Sequence, residues 1–103
     1  MPKNEAIKIS KAYTSLLRTE GISIDKAFLY GSYLSDTAGD ESDIDLMIVT
    51  ENESDDYLAG KIWSLTKQVN SKIEPFLVGA KRYYSNDNSP LVDLVKITGI
   101  EIA

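Results

Sequence analysis

Three short apolar runs restrict the fold most: "ISIDKAFLY" from Ile22 to Tyr30, "DIDLMIVT" from Asp43 to Thr50, and "SKIEPFLVG" from Ser71 to Gly79. Each has the length of a β-strand, and patterns of helical period lie around them. From Asn4 to Glu20, the residues Ile9, Tyr13, Leu16 and Leu17 fall at helical spacing, and Gly21 reads as a stop. "ENESDD" offers cap residues and acids where a helix N-terminus favours them. The helix it opens carries Leu58, Ile62, Leu65 and Val69 on one stripe. Residues 32–42 are polar and turn-rich, with room for one short helix. "AKRYYSNDNSP" reads as a loop, "LVDLVKIT" as a short helix, and "GIEI" as an edge strand or a segment that packs down. The order helix, strand, short helix, strand, helix, strand, helix is that of an α/β domain whose helices can cover a small sheet. The first two apolar runs are apolar on both faces, as a covered sheet requires. Pro75 marks the third as an edge strand.

At 103 residues the chain reads as a single domain over residues 1–103. It has no Cys and no His, which removes disulfides, thiolate zinc sites, imidazole metal sites and the Ser-His-Asp triad. Catalysis must then rest on carboxylates, hydroxyls, Lys, Arg or Tyr, together with a hard cation. A net charge of −5 argues against non-specific nucleic-acid binding, which needs a basic surface. It leaves room for a small anionic ligand whose charge a metal balances. No apolar run approaches the ~18 residues of a membrane span, and the N-terminus lacks a signal-peptide core, so the expected location is the cytoplasm.

The run "DIDLMIVT" contains two acids where a buried strand wants Val or Ile. Side chains alternate along a strand, so Ile44, Leu46 and Ile48 share one face, and Asp43, Asp45, Met47 and Val49 share the other. The two aspartates lie about 7 Å apart at Cα, given the rise of a strand. Left unpaired, two such anions repel, and a divalent cation between them reverses that cost. All-oxygen ligation by Asp, completed by phosphate oxygens, is the usual setting of Mg²⁺. The alternative is that Asp43 precedes the strand and Asp45 is solvated at its end. Upstream, "LYGS" ends a strand in Gly31 and Ser32. Gly permits close backbone approach to a ligand, and Ser offers a hydroxyl and an amide to a phosphate.

The assembled pattern is Gly-Ser, ten residues, Asp, one residue, Asp, ending in "SDIDL". It resembles the DNA polymerase β-like nucleotidyltransferase superfamily, and the chain resembles its shortest members, the minimal nucleotidyltransferases of antitoxin type. The resemblance runs from the first helix to "SPLVDLVKITGIEI". It implies a small mixed sheet flanked by helices, with Gly31 and Ser32 on the nucleotide phosphates and Asp43 and Asp45 on two Mg²⁺ ions. It also implies ATP as substrate, and transfer of AMP to a tyrosine of a helical HEPN-type toxin partner. Such enzymes usually add a third carboxylate on a neighbouring strand. Glu74 is the only acid inside the third apolar run; it would join the metal site or take the proton of the acceptor hydroxyl. That role requires Glu74 to face the same way as Asp43 and Asp45 from the adjacent strand. Parity groups it with Phe76 and Val78 and leaves the strand direction open. The alternative is a polar residue on an exposed strand end.

One departure stands against the family pattern. Many relatives carry a basic residue and then Gly soon after Gly-Ser; here those places hold Ser35 and Asp36, and the glycine comes at Gly39. With Asp36, Asp40 and Glu41 the loop is acidic. A second reading follows: a nucleotidyltransferase-fold module that acts as an antitoxin by binding alone. A third is structural use of D-x-D in an unrelated α/β domain. Elsewhere, Tyr83 and Tyr84 are expected to pack a loop onto the core, and Trp63, beside its helix stripe, to be partly buried.

Overall fold

The computed structural model describes residues 2–31, 43–51, 55–86 and 89–103. In chain order they form α1 (Lys3–Thr19), β1 (Ile24–Tyr30), β2 (Ile44–Thr50), α2 (Asp56–Leu65), β3 (Ile73–Gly79), α3 (Ala80–Tyr83), α4 (Pro90–Thr98) and β4 (Ile100–Glu101). A 3₁₀ turn at Thr66–Gln68 continues α2. The short helix expected within 32–42 lies outside the described residues.

The four strands form one sheet in the order β3-β2-β1-β4. β1 is antiparallel to β2 and to β4, while β2 and β3 are parallel. The sheet is therefore mixed, as expected. Pro75, which has no N–H to give to a ladder, sits on the edge strand β3.

Alternation along the strands builds two cores. Ile44, Leu46, Ile48, Leu29, Ala27 and Ile73 meet Tyr13 and Leu17 of α1 and Ile62 and Leu65 of α2. On the opposite face, Phe28, Met47, Val49 and Val78 meet Tyr83 of α3 and Val92 and Val95 of α4. A β-bulge between Ile24 and Lys26 lets Ile24 and Ala27, three residues apart, enter the same core. The Tyr13 hydroxyl, fully buried, donates to the carbonyl of Ile62 and ties α1 to α2. Burial pushes the phenol's pKa well up.

The helix starts follow from their caps. The Asp55 side chain accepts from the Leu58 amide at 2.7 Å. Ser89 caps α4, where Pro90 takes a first-turn position that needs no N–H.

The segment after Gly79 departs from the expectation. The segment expected as a loop after Gly79 begins with the single turn α3, closed by Tyr84 N–H to Ala80 O at 3.0 Å. The turn delivers Tyr83 to the second core, where its ring stacks on Phe28 with centroids 6.0 Å apart. Tyr84 stays exposed, and its hydroxyl donates to Asp25. "GIEI" is an edge strand: β4 pairs with Phe28 and Leu29. Trp63 is 48% exposed. Among the described residues no helix is long and apolar enough to cross a membrane.

Candidate active site

The C-terminal end of β1 and the N-terminal ends of β2 and β3 meet at one end of the sheet. There Tyr30 pairs with Asp45, and Asp45 pairs with Glu74. One row of three side chains thus crosses three adjacent strands. Parity sets its face: Met47 and Val49 follow Asp45, and Phe76 and Val78 follow Glu74, all on the α3–α4 side. Glu74 therefore faces the same way as Asp45, from the adjacent strand. Asp43 is exposed just before β2, and its carboxylate lies within hydrogen-bonding reach of Glu74.

These acids perturb one another. Burial, then the charge of Asp43, raises the Asp45 carboxyl, and a hydrogen bond with Glu74 pulls it partly back. Glu74 is raised by desolvation, then by Asp43 through charge and hydrogen bonding, then by Asp45 in the same two ways. The pattern is that of neighbouring carboxyls that disfavour one another's charge. Tyr30, half-buried, has its phenol raised by burial and then by the charges of Asp45 and Glu74.

Gly31 follows Tyr30 at φ +81°, a conformation L side chains rarely adopt. A Cβ added there would lie 3.2 Å from Asp45 Cγ and would collide with its Oδ2. Gly31 is thus required twice, for its backbone turn and for the packing of Asp45 against it. Ser32, expected on the phosphates, lies outside the described residues, as do Ser35 and Asp36 of the departing loop.

The donor set suits a hard divalent cation: all oxygen, anionic, and mutually repelling in the cation's absence. Among the described residues, however, no group of three acidic side chains has the arrangement that would hold a metal ion. Asp43 and Asp45 could hold a cation only with further ligands from substrate oxygens. Glu74 faces them as a protonatable neighbour.

Tyr30 is the residue that sequence reasoning passed over. Its one signal is its place just before Gly31, which becomes informative only once β1 and β2 are set antiparallel with Tyr30 opposite Asp45.

The family described as Polymerase beta, Nucleotidyltransferase matches the chain over residues 11–81. Solved structures share the fold. A candidate nucleotidyltransferase from Sulfolobus solfataricus is 13% identical, with a TM-score of 0.65 over 96% of this chain and 80% of the other. A toxin–antitoxin structure with AMP-PNP is 21% identical, with a TM-score of 0.63 over 100% of this chain and 73% of the other. An MntA–HpeT toxin–antitoxin mutant, in which two aspartates two positions apart are replaced by glutamate, is 18% identical, with a TM-score of 0.60 over the same shares. No curated protein matches the sequence.

Proposed function

The chain belongs to the Polymerase beta nucleotidyltransferase family, and on that premise we propose that it transfers AMP from ATP to a tyrosine hydroxyl of a HEPN-type toxin partner. The observation that carries the reading is the row across the strands: Glu74 opposite Asp45 on one sheet face, with Asp43 beside them and Gly31 packed against Asp45. Support for an antitoxin setting comes from the fold shared with chains of toxin–antitoxin complexes, one of them with AMP-PNP.

Asp43 and Asp45 would hold Mg²⁺, and Gly31 and Ser32 would take the triphosphate. The cation would supply charge neutralisation to the triphosphate and to the departing pyrophosphate. Asp45 is held in place by Gly31 on one side and Glu74 on the other, so its carboxylate is oriented before substrate arrives. Glu74 accepts the proton of the attacking hydroxyl. The hydroxyl oxygen then bonds to the α-phosphorus as the bond to pyrophosphate breaks, and AMP remains on the acceptor.

Glu74→Gln tests this division of labour. We expect transfer to fall about 10²–10⁴-fold, the usual worth of a general base. Stabilisation of the protein by Mg²⁺ with ATP, read as a rise in melting temperature, should stay as in the wild type. Loss of that rise would make Glu74 a metal ligand instead of a base.

A second reading has one observation in its favour: among the described residues no group of three acidic side chains has the arrangement that would hold a metal ion. It is a binding antitoxin without catalysis. Under it Glu74→Gln changes nothing, and toxin neutralisation survives without ATP.

A further inference from the structure

Tyr30 ends the row of side chains that crosses β1, β2 and β3. It stands opposite Asp45, which in turn stands opposite Glu74. Cross-strand partners put their side chains on the same face of a sheet, with Cβ atoms about 4.5–5.5 Å apart. Tyr30 therefore faces the α3–α4 side, where it packs against the second core. It is half-buried. The negative charges of Asp45 and Glu74 both reach its phenol. Among the described residues no hydrogen bond engages that hydroxyl. A tyrosine hydroxyl is the nucleophile of the proposed reaction, and this one stands in the site itself.

The other described tyrosines are placed differently. Tyr13 lies in the first core, on the opposite face of the sheet, and donates to the Ile62 carbonyl. Tyr57 is 80% exposed on α2, which covers that same opposite face. Tyr83 and Tyr84 follow the C-terminal end of β3, whose other end carries Glu74. Tyr84 donates to Asp25, near the start of β1 and away from the carboxylates. Tyr33 lies outside the described residues. Among the described residues, Tyr30 is thus the tyrosine at the carboxylate end.

We propose that Tyr30 is an internal acceptor: with ATP bound and no partner present, the site transfers AMP to the Tyr30 hydroxyl of the same chain. The proposal rests on the reading of the site as one that adenylylates a tyrosine. The Tyr30 oxygen bonds to the α-phosphorus, the bond from that phosphorus to pyrophosphate breaks, and the phenolic proton passes to Glu74. Gly31 and Ser32, which would take the triphosphate, follow Tyr30 directly, so the phosphates are held at the end of its own strand. An acceptor fixed on the same sheet meets the phosphate without a diffusive encounter, which lowers the entropic part of the barrier. Packing against the core limits how far the ring can turn, so self-transfer should be slower than transfer to a partner. The product leaves a phosphodiester beside Asp45, in the space a second nucleotide needs, so each chain is modified once.

The test incubates the full chain with α-labelled ATP and Mg²⁺ and no second protein, and locates the label by peptide mass spectrometry. A parallel arm adds the protein encoded by the adjacent gene as acceptor. Label should appear on Tyr30, at a rate per chain independent of protein concentration. It should fall to background in Tyr30→Phe, which keeps the ring, and in Asp45→Asn, and persist in Tyr57→Phe and Tyr84→Phe. Labelling of the acceptor protein with none on this chain would overturn the self-transfer and leave the transfer reading intact. Label mapped to Tyr33 or to any other residue would overturn it. A rate per chain that rises with protein concentration would also overturn it, since one copy would then modify another. Absence of label on both proteins would remove the transfer reading, and the self-transfer with it.

Discussion

Asp45→Asn is expected to abolish transfer and, without divalent cation, to raise the melting temperature at neutral pH. The two effects have one cause. Asp45 sits half-buried between Tyr30 and Glu74, with Gly31 against its carboxylate. Burial and the Asp43 charge raise its pKa in the folded protein. A carboxyl raised in this way binds its proton more tightly folded than unfolded. The folded state therefore loses stability as pH rises through the window from the unfolded to the folded pKa, and regains it as pH falls. Asn carries no such charge. The variant should melt higher than the wild type at neutral pH, and the gap should close on acidification. Activity should fall by at least about 10²–10³-fold, the scale of removing one preorganised electrostatic group from a developing charge. Asp43→Asn should remove activity equally. A lower melting temperature for Asp45→Asn at neutral pH would make the acid a structural element of the sheet end.

Gly31→Ala is expected to lose both stability and activity. The backbone at φ +81° costs an alanine about 1–2 kcal/mol. The new Cβ also enters the space of the Asp45 carboxylate. Either the turn or the carboxylate must move, and both belong to the proposed site. Gly21, also at positive φ (84°), is the internal control, because a Cβ there meets nothing within 4 Å. Gly21→Ala should cost a similar backbone penalty and leave transfer intact. Melting curves and transfer rates for the two variants separate strain from site damage. Equal activity in both would mean that Gly31 serves the turn alone.

Much of this architecture was legible in the chain. The strands β1, β2 and β3 announce themselves as apolar runs, and alternation in "DIDLMIVT" already separates Asp45 from Ile44 and Leu46. The α2 start was readable from its acids, because the cap is a local hydrogen bond to Asp55. The single turn α3 was not, since four residues carry no period; tertiary packing of Tyr83 on Phe28 decides it. The bulge at Ile24 and Lys26 has no sequence signal of its own. At the site, the two aspartates and Glu74 stood out as acids in apolar runs. Their convergence did not, because it depends on β2 and β3 being parallel and in the register that pairs Asp45 with Glu74. The contact of Gly31 with Asp45 and the place of Tyr30 needed the antiparallel pairing of β1 with β2.

The central claim is that the carboxylates at this end of the sheet serve nucleotidyl transfer. The most direct measurement incubates the protein with Mg²⁺, the adjacent-gene product and ATP labelled either at the α- or at the γ-phosphate. The account expects α-label, and no γ-label, to remain on the acceptor protein, with pyrophosphate released in equal amount and neither product formed by Asp45→Asn. Retention of γ-label would mean phosphoryl transfer, and labelling undiminished in Asp45→Asn would place the chemistry elsewhere in the molecule; either result would contradict it.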